Sequence, residues 1–432
     1  MRWEAKQSSK RGPVIESRIC RNRFTAPSKG EFNLTYGQLG RWSTFSIKIL
    51  LSLTGRKKGG RIEVASKISS EDKHRSISIQ LGAPMKAALY EQFKGPISIT
   101  EVQDPDVPEG GVILTVEATG ICRSDWHGWQ GHDPDIRLPH VPGHELVGTI
   151  VEVGKGVRNW RKGDRVTLPF VAGCGHCEPC LSGNQQVCDY QFQPGFTHWG
   201  SFAEYVAIHY ADGNLVRLPD TLDPVAAASL GCRFATAFRA LEAQARLRAG
   251  EWVAVHGCGG VGLSAIMIAR AMGGRIIAVD IDQEKLDMAK RLGAEVAING
   301  RETPDVVAAI RSVTHGGVQV SMDALGNPQT CFNSIAALAK RGRHVQVGLM
   351  LADQSHPAIP MDMVVSRELE IYGSHGIQAH RYGALLGLVV SGQLHPELLV
   401  TERLNLAEGI DFLQRMNTFH GTGIRVIDRL HP

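Results

Sequence analysis

The sequence predicts an α/β protein in which a mostly β domain is followed by a parallel sheet with helices on both faces. Two observations lead to this prediction. Before about residue 210, short apolar or alternating strands are separated by clusters of Gly, Pro and Asp, which is typical of irregular β structure. After Asp223-Pro224, strands and helices alternate, and apolar strands in such an alternation are typical of a doubly wound parallel sheet.

The predicted elements can be placed in chain order. In the first region we expect strands at Val112–Ala118, Leu146–Val153 and Ser201–Ile208. A long helical pattern then covers Ala226–Leu247. The later strands are predicted at Trp252–His256, Arg275–Asp280, Ala294–Ile298, Val318–Asp323, His344–Val347 and Leu369–Tyr372. The helices between them are predicted at Val261–Met272, Gln283–Leu292, Pro304–Val313 and Pro328–Lys340.

The composition excludes several classes of protein. With 43% hydrophobic and 21% charged residues, the chain is neither collagen-like, nor a coiled coil, nor wholly disordered. The net charge of +4 is unevenly distributed, because residues 1–84 hold 17 Lys and Arg against 6 Asp and Glu, which leaves 30 basic and 37 acidic residues in the remainder. An acidic globular body gives no reason to expect nucleic acid or a membrane as a partner.

Residues 1–84 differ from the rest of the chain in composition and in hydrophobic pattern. They are basic and show no sustained helical or strand periodicity, so we expect a disordered extension or a misassigned start. A misassigned start is considered because Met85-Lys86-Ala87-Ala88 resembles a natural protein beginning, and a targeting or binding segment is the alternative to both. The longest apolar stretch, Phe45–Leu53, contains Lys48 and is far shorter than the roughly 20 apolar residues of a membrane helix.

A glycine-rich loop follows the predicted strand Trp252–His256 and precedes a predicted helix. Its residues are Gly257, Cys258, Gly259, Gly260, Val261 and Gly262, which spell G-x-G-x-x-G in the strand–turn–helix context of dinucleotide sites. In such a loop Gly257 permits the tight turn, Gly259 lets the backbone approach a pyrophosphate, and Gly262 allows the helix to pack closely on the strand. The alternative is a βαβ unit that is merely well packed.

Asp280 ends the second strand of this unit, 18 residues after Gly262. A carboxylate at about this spacing accepts hydrogen bonds from the adenosine ribose hydroxyls and repels a 2′-phosphate. The sequence therefore favours NAD over NADP. In the alternative interpretation, Asp280 only caps a loop.

Nine cysteines are present, and four of them lie within fifteen residues. Cys174, Cys177, Cys180 and Cys188 spell C-x2-C-x2-C-x7-C, a spacing that can close a tetrahedral zinc site of the structural kind. An iron–sulfur cluster or disulfides are the alternatives, although the ferredoxin pattern has a shorter last spacing and a following Pro. His176 lies inside the loop, but four thiolates already complete the shell.

A second group of metal-binding residue types is dispersed along the chain. It comprises Cys122, His144 with Glu145, and Cys232. Spacing alone does not show a site here, because a lone Cys in apolar surroundings is usually a small core residue.

Together these motifs resemble the zinc-dependent alcohol dehydrogenases of the medium-chain dehydrogenase/reductase family, over nearly the whole length from Met85 to Asp428. The matching motifs, in the family's order, are G-I-C-R-S-D-x-H at residues 120–127, G-H-E at 143–145, the four-cysteine loop, L-G-C at 230–232, and G-C-G-G-V-G at 257–262 with V-D at 279–280. The resemblance implies a GroES-like catalytic domain over residues 85–233 and 376–432, and a Rossmann NAD-binding domain over residues 234–375.

The resemblance also implies a catalytic zinc bound by Cys122, His144 and Cys232, with an open position for substrate. With the four-cysteine zinc, two zinc ions per chain are expected. Ser124 and His127 are expected to relay the alcohol proton, and an imidazole suits that task because its usual pKa is near working pH. The two supporting residues are expected to be Asp125, which would orient the zinc-bound histidine, and Glu145, which would lie behind the metal without being a resting ligand.

Further cofactor contacts are implied by matching positions. Arg123 and Arg425 are expected at the pyrophosphate, which two bidentate guanidinium groups suit well. The remaining expected cofactor residues are Lys285, Thr236, Gly348 and Leu349. His375 matches a position near the cofactor, without an assigned role.

The substrate pocket is expected to be lined by Trp126, Trp129 and Phe170, with a contribution from the loop Phe192–Trp199. Aromatic walls favour a hydrophobic alcohol, although each of these side chains could instead belong to the core. Ser124 stands where many relatives have Thr, and the missing methyl leaves room for a bulkier substrate.

The sequence therefore predicts a zinc- and NAD-dependent oxidoreductase that interconverts primary or secondary, hydrophobic alcohols with aldehydes or ketones. The alternatives are a polyol or formaldehyde-adduct dehydrogenase of the same family, or a non-catalytic NAD-binding relative. We expect a cytoplasmic homo-oligomer, a tetramer in preference to a dimer, whose partner is a small-molecule alcohol or aldehyde.

Overall fold

The computed structural model describes residues 32–38, 41–47, 84–351, 354–418 and 421–430. The chain divides into two units, residues 1–82 and 83–432. In the first unit, strands β1 (Phe32–Gln38) and β2 (Arg41–Ile47) form an antiparallel hairpin. This hairpin differs from the expectation of a segment without regular structure, because residues 32–36 alternate apolar and polar positions with the period of a strand. The rest of that expectation falls on residues outside the described ones.

The second unit contains the following strands: β3 (Pro84–Leu89), β4 (Ser98–Gln103), β5 (Val112–Ile121), β6 (Glu145–Val153), β7 (Arg165–Thr167), β8 (Tyr205–Ile208), β9 (Val216–Arg217), β10 (Trp252–His256), β11 (Arg275–Asp280), β12 (Val296–Asn299), β13 (Val318–Asp323), β14 (Leu338–Gln346), β15 (Glu370–Gly373), β16 (Val400–Asn405) and β17 (Ile424–Arg429). Its α-helices are α1 (Arg123–Trp129), α2 (Glu178–Leu181), α3 (Ala211–Asn214), α4 (Pro224–Ser229), α5 (Ala235–Arg239), α6 (Gly260–Ala271), α7 (Gln283–Arg291), α8 (Val306–Thr314), α9 (Pro328–Ala336), α10 (Met361–Ser366), α11 (Tyr382–Val390) and α12 (Leu406–Arg415). Short 3-10 turns cover Gln185–Val187, Ala379–Arg381 and Pro396–Leu399, and π-helical turns cover Leu230–Phe234 and Ala240–Gln244.

The first large sheet is mostly antiparallel. Its strand order is β16-β17-β5-β6-β7-β9, with β8 paired to β5. Strands β16 and β17 come from the end of the chain, so the last segment completes a sheet that begins more than 270 residues earlier, at Val112. Leu114, Leu146, Ile150 and Val166 are fully buried in the hydrophobic core of this sheet.

The second large sheet is parallel, in the order β12-β11-β10-β13-β14-β15. On β10, Val253 and Val255 join the core cluster of helices α6 and α7, whereas Ala254 joins that of α8 and α9. Because both faces are buried, the strands are apolar throughout. The predicted α/β class with a doubly wound Rossmann sheet is thus confirmed.

The strand order of this sheet reverses between β10 and β13, which are neighbours although β11 and β12 lie between them in the chain. Loops leaving the two strands turn to opposite faces, so a crevice opens at the carboxyl ends. Parallel sheets of this kind bind their ligands in that crevice. The glycine loop after His256 lies at this edge.

The predicted strands of the parallel sheet agree closely with the observed ones, and three have the predicted bounds: β10, β11 and β13. The predicted helix Pro328–Lys340 is shorter in the structure and ends at Ala336. The reason is that Leu338 already pairs with Val318 in the sheet. Sheet pairing has overridden the local helical pattern here.

The long helical pattern predicted over Ala226–Leu247 is observed as a continuous stretch from α4 to Gln244. It is interrupted by the π-helical turn Leu230–Phe234, which contains Cys232. Single π turns of this kind often mark functional positions, because they redirect a side chain out of the regular helical pattern. Among the described helices, none is both long enough and apolar enough to cross a membrane.

Candidate metal and cofactor sites

Four metal-binding side chains from three separate segments meet in the interior. The candidate ligand atoms of Cys122, His144, Glu145 and Cys232 all lie within 4.8 Å of one another. Cys122 follows β5 at the start of α1, His144 precedes β6, and Cys232 lies in the π-helical turn. The fold therefore brings together the dispersed residues that spacing alone did not connect.

Asp125 fixes the orientation of His144. Its Oδ1 accepts hydrogen bonds from His144 Nδ1 at 2.8 Å and from the Gly143 N–H at 3.1 Å, while Oδ2 accepts from the Cys122 N–H at 2.8 Å. With Nδ1 donating to a carboxylate, the lone pair of the imidazole is on Nε2. That Nε2 is buried and has no hydrogen-bond partner among the described residues, which is what a metal ligand requires.

The two cysteines of this cluster influence each other. A hydrogen bond with Cys232, followed by the contacts of His144, holds the pKa of Cys122 well below its usual value. The same hydrogen bond, together with burial, raises the pKa of Cys232. A bound divalent cation would ionise both thiols. Two thiolates and one imidazole fit a catalytic zinc with an open position.

Glu145 is paired with an arginine that the sequence analysis missed. Its Oε1 accepts from the Arg233 backbone N–H at 2.9 Å and from Nε at 3.0 Å, and its Oε2 accepts from Nη2. Both side chains are buried. Burial raises the pKa of Glu145 above its usual value, and the Arg233 cation opposes this rise only in part. The signal in the sequence is a charged residue directly after Cys232, within the otherwise uncharged stretch from Val225 to Phe238.

The two residues of the expected proton relay lie near the metal cluster. Ser124 Oγ is 3.7 Å from Cys122 Sγ. His127 Nδ1 is 3.0 Å from Nδ1 of His132, and no hydrogen bond joins Ser124 to His127 in the part of the chain that is described. Burial, followed by the nearby Arg123 cation, lowers the pKa of His127 to about 4. The imidazole is therefore neutral at working pH, unlike the expectation of a pKa near neutrality.

The glycine loop has the geometry expected for a dinucleotide site. Gly257 adopts a φ of 92°, and a Cβ on Gly262 would lie 1.8 Å from the Gly257 carbonyl oxygen, so both positions require glycine. A Cβ on Gly259 would meet no atom within 4 Å, which leaves open space beside the loop for a ligand. Asp280 Oδ2 accepts from the Cys258 N–H at 2.6 Å, so this carboxylate also holds the loop.

Other expected cofactor residues lie around the same crevice. Thr236 Oγ1 is buried and has no hydrogen-bond partner among the described residues. Gly348 packs against Gly326, and the Gly348 N–H donates to Asp323 O at 2.8 Å. The other expected cofactor residues are Val261 on α6, the half-exposed Leu349, and Lys285, whose Nζ is 3.7 Å from Asp282 Oδ2.

The two arginines expected at the pyrophosphate have contacts within the protein, and their role at the cofactor stays a prediction. Arg123 stacks on the Trp126 ring at 4.1 Å and donates to Met416 O at 3.2 Å and Asn417 Oδ1 at 3.0 Å. Arg425 donates to Thr422 O at 3.0 Å and to Glu402 Oε2 at 3.3 Å. These contacts hold both guanidinium groups within the antiparallel-sheet domain.

Aromatic side chains beside the metal cluster come partly from the predicted positions. The ring centroid of Phe170 is 6.2 Å from that of His144, and Phe196, within the predicted loop contribution, is 5.0 Å away. His375 lies 5.1 Å from Phe170. These rings form one wall beside His144.

Trp126 and Trp129, the other two predicted pocket walls, are buried. Both belong to the hydrophobic core of the first sheet, and Trp129 Nε1 donates to Gly95 O at 2.8 Å. The same core contains Ile121 and Leu413. The role of the two tryptophans in the substrate pocket stays a prediction.

The four-cysteine loop also forms a compact cluster. The sulfurs of Cys174, Cys177, Cys180 and Cys188 lie within 4.8 Å of one another, and none of the described cysteines forms a disulfide. Burial alone would raise the pKa of Cys177, but the N–H groups of Cys180 and Asp189 lower it to about 6. His176 stacks on Tyr190 outside the cluster. Four sulfurs without other ligands fit a closed, structural zinc site.

The chain is similar to known proteins over most of its length. Residues 108–220 match the family described as alcohol dehydrogenase GroES-like domain, and residues 260–391 match the family described as zinc-binding dehydrogenase. An alcohol dehydrogenase of Geobacillus stearothermophilus is 37% identical over 334 residues, which cover 77% of this chain and 95% of the relative. An NAD-dependent alcohol dehydrogenase of Sulfurisphaera tokodaii is 32% identical over 79% of this chain and 99% of its own length.

Among solved structures, the alcohol dehydrogenase TADH of Thermus sp. ATN1 superimposes with a TM-score of 0.73 at 30% sequence identity. The superposition covers 80% of this chain and 100% of the other. Similarity of sequence and of fold therefore extends over the same large part of the chain.

Proposed function

Because this chain belongs to the zinc-dependent alcohol dehydrogenases of the medium-chain dehydrogenase/reductase family, we propose that it interconverts hydrophobic primary or secondary alcohols with aldehydes or ketones. The observation that supports catalysis most directly is the buried, unpartnered Nε2 of His144 beside the sulfurs of Cys122 and Cys232. A relative that had lost its activity would have no need to retain this ligand set.

Zinc held by Cys122, His144 and Cys232 supplies Lewis-acid chemistry, which lowers the pKa of an alcohol from about 16 toward neutrality. Within the protein, Asp125 keeps the imidazole of His144 in the tautomer that leaves Nε2 free. Ser124, beside Cys122, takes the alcohol proton, and His127 passes it toward solvent.

The cofactor we propose is NAD, bound with its pyrophosphate at the N-terminus of α6. The open space at Gly259 supports a close approach of the phosphates to the backbone. The carboxylate of Asp280 stands at the end of β11, where it can accept hydrogen bonds from ribose hydroxyls and repel a 2′-phosphate.

The substrate class we propose follows from the aromatic groups beside His144. Phe170 and Phe196 offer apolar surface, and apolar pockets bind hydrophobic groups. A polyol or a formaldehyde adduct, the alternative substrates, would need several polar groups at that wall. Besides His144, we observe one polar ring next to Phe170 among the described residues, that of His375, which favours the hydrophobic alcohol. The homo-oligomeric state, preferably a tetramer, the cytoplasmic location and the domain bounds at residues 233 and 375 are proposals on the strength of the family resemblance.

The proposed function is tested by the metal content of purified protein together with NAD reduction on a panel of aliphatic, allylic, benzylic and polyol substrates. We expect two zinc ions per chain and turnover with the apolar alcohols. One zinc per chain without turnover on any substrate would contradict the proposal and favour a non-catalytic relative. Turnover confined to polyols would contradict the substrate class alone.

A further inference from the structure

The side chain of Arg233 lies between the metal cluster and the glycine loop. On one side it binds both carboxylate oxygens of Glu145, a member of the metal cluster. On the other side it reaches Gly260, the first residue of α6, since a Cβ there would lie 2.5 Å from Arg233 Cδ and 3.3 Å from Nη1. One arginine side chain thus lies beside both sites.

Glycines leave the space that this arginine and its partner occupy. A Cβ on Gly120 would lie 2.3 Å from Glu145 Oε2 and 3.1 Å from Arg233 Nη2. A Cβ on Gly231 would lie 2.8 Å from the Glu145 Cα. With Gly260, glycine occurs at three positions where any larger residue would displace the pair. The pair is therefore fitted into its surroundings.

The donors of Arg233 are not all used. Glu145 takes the backbone N–H, Nε and Nη2. Nη1 makes no hydrogen bond among the described residues, although the side chain is only 9% exposed. A guanidinium carries two N–H groups on Nη1, and in Arg233 both remain available to donate to a ligand.

We propose that Nη1 of Arg233 donates to the pyrophosphate of the bound NAD from the catalytic side of the crevice. The inference rests on the proposed cofactor and adds a residue to its binding site. The N-terminus of α6 is where a dinucleotide pyrophosphate lies in this type of loop, and Nη1 lies near that end of the helix, beside Gly260. Glu145 holds the guanidinium in place.

The Arg233–Glu145 pair carries no net charge. It therefore contributes to pyrophosphate binding through a directed hydrogen-bond donor more than through a general attraction for anions. Lysine has a single nitrogen and cannot bind Glu145 and a phosphate in the same fork geometry. An arginine at this position is therefore distinguishable from a mere positive charge.

The test is calorimetric titration of the zinc-loaded, full-length protein with NADH and with ADP-ribose, which retains the pyrophosphate but lacks nicotinamide. The R233Q/E145Q double variant removes both charges, so no buried charge is left unpaired. We expect both ligands to bind about 10- to 100-fold more weakly, the range for a lost charged hydrogen bond. The matched control is R165Q/E117Q, another partly buried pair with Nε and Oε2 2.9 Å apart, for which wild-type affinity is expected.

Wild-type affinity of the double variant for both ligands would overturn the proposal. Weaker binding of NADH with unchanged binding of ADP-ribose would also overturn it, because the contact would then be at the nicotinamide end. The zinc content and the unfolding temperature of the double variant are measured first. If the double variant does not fold, R233K is titrated in the same way. We expect R233K to bind both ligands more weakly, and unchanged binding would overturn the proposal. A wild-type protein that binds neither ligand would instead overturn the proposed cofactor, and the inference with it.

Discussion

Asp125 shows how much one buried residue organises at the metal site. Its two carboxylate oxygens receive three hydrogen bonds, from His144 Nδ1 and from the N–H groups of Cys122 and Gly143. It therefore fixes the orientation of the His144 imidazole ring and the position of the backbone at Cys122. Partners of this kind raise the basicity of a metal-bound histidine and set its tautomer.

We expect Asp125→Asn to weaken zinc binding at the catalytic site by about 10- to 100-fold, because the amide loses the charge and one acceptor. The measurement is competition with a chelator, which reports affinity independently of turnover. Asp135→Asn, at an exposed position a short distance along the chain, is the control. Unchanged zinc affinity in Asp125→Asn would show that the histidine is oriented by its packing alone.

Asp280 has two tasks at one carboxylate. It accepts from the Cys258 N–H within the glycine loop, and it stands where the ribose of NAD is expected. We expect Asp280→Ala to narrow the preference for NAD over NADP, because the repulsion of a 2′-phosphate is removed. The ratio of kcat/KM for the two cofactors measures this preference, and an unchanged ratio would mean that another residue selects the cofactor.

At the scale of elements, the four-cysteine loop contacts more than its own cysteines. Its carbonyl groups at Gln186 and Gly183 accept hydrogen bonds from His375 at 3.0 Å and Gln378 at 3.1 Å. These two residues follow β15 of the parallel sheet, and His375 packs on Phe170. The loop thus supports the segment that leads to the wall of the proposed pocket.

Cys180→Ala is expected to reduce the zinc content from two ions per chain to one and to lower the unfolding temperature, because a closed metal site contributes folding energy. Since His375 depends on the loop, KM for bulky alcohols should rise more than kcat falls. Metal analysis, thermal unfolding and steady-state kinetics measure these effects. A large loss of kcat with two zinc ions and a normal unfolding temperature would contradict the structural role of the site.

The π-helical turn is a second feature at this scale. It places Cys232 at the metal cluster and gives the next residue, Arg233, a path to Glu145 and Gly260. In a regular α-helix, consecutive side chains diverge by about 100°. That angle would move the Arg233 side chain further from the Cys232 sulfur than the π-helical turn does. The turn therefore connects the metal cluster with the cofactor loop.

At the scale of the whole molecule, stability depends on histidines that are buried without charge. Burial lowers the pKa of His256 to about 3 and that of His344 to about 4, against an ordinary value of 6.5. Both lie in the parallel sheet, on β10 and β14. Below about pH 6.5 the unfolded chain binds protons at these positions while the folded chain does not, so stability falls as the pH decreases.

We expect His256→Leu to reduce the pH dependence of the free energy of unfolding between about pH 6 and 4 by about 1.4 kcal/mol per pH unit, the value for one proton. The measurement is denaturant unfolding of wild type and variant at several pH values in this window. His315→Gln, at an exposed position that ends α8, is the surface control measured in parallel. Equal slopes for wild type and His256→Leu would show that His256 is protonated in the folded state.

The sequence by itself determined the class of the fold, the bounds of β10, β11 and β13, the glycine loop and the four-cysteine loop. These features depend on neighbours in the chain: the apolar run of a strand buried on both faces, the glycine that a positive φ requires at residue 257, and cysteines close enough to share one ion. The candidate catalytic ligands were identified by resemblance, since their separation in the chain contains no local signal.

Only the tertiary structure decided which side chains meet across the chain. It placed Arg233 on Glu145, turned Trp126 and Trp129 into the core, directed Arg123 to the end of α12, and lowered the pKa of His127. The physical reason is that burial, pairing of charges and loss of solvent depend on neighbours distant in sequence, and a linear pattern does not contain them.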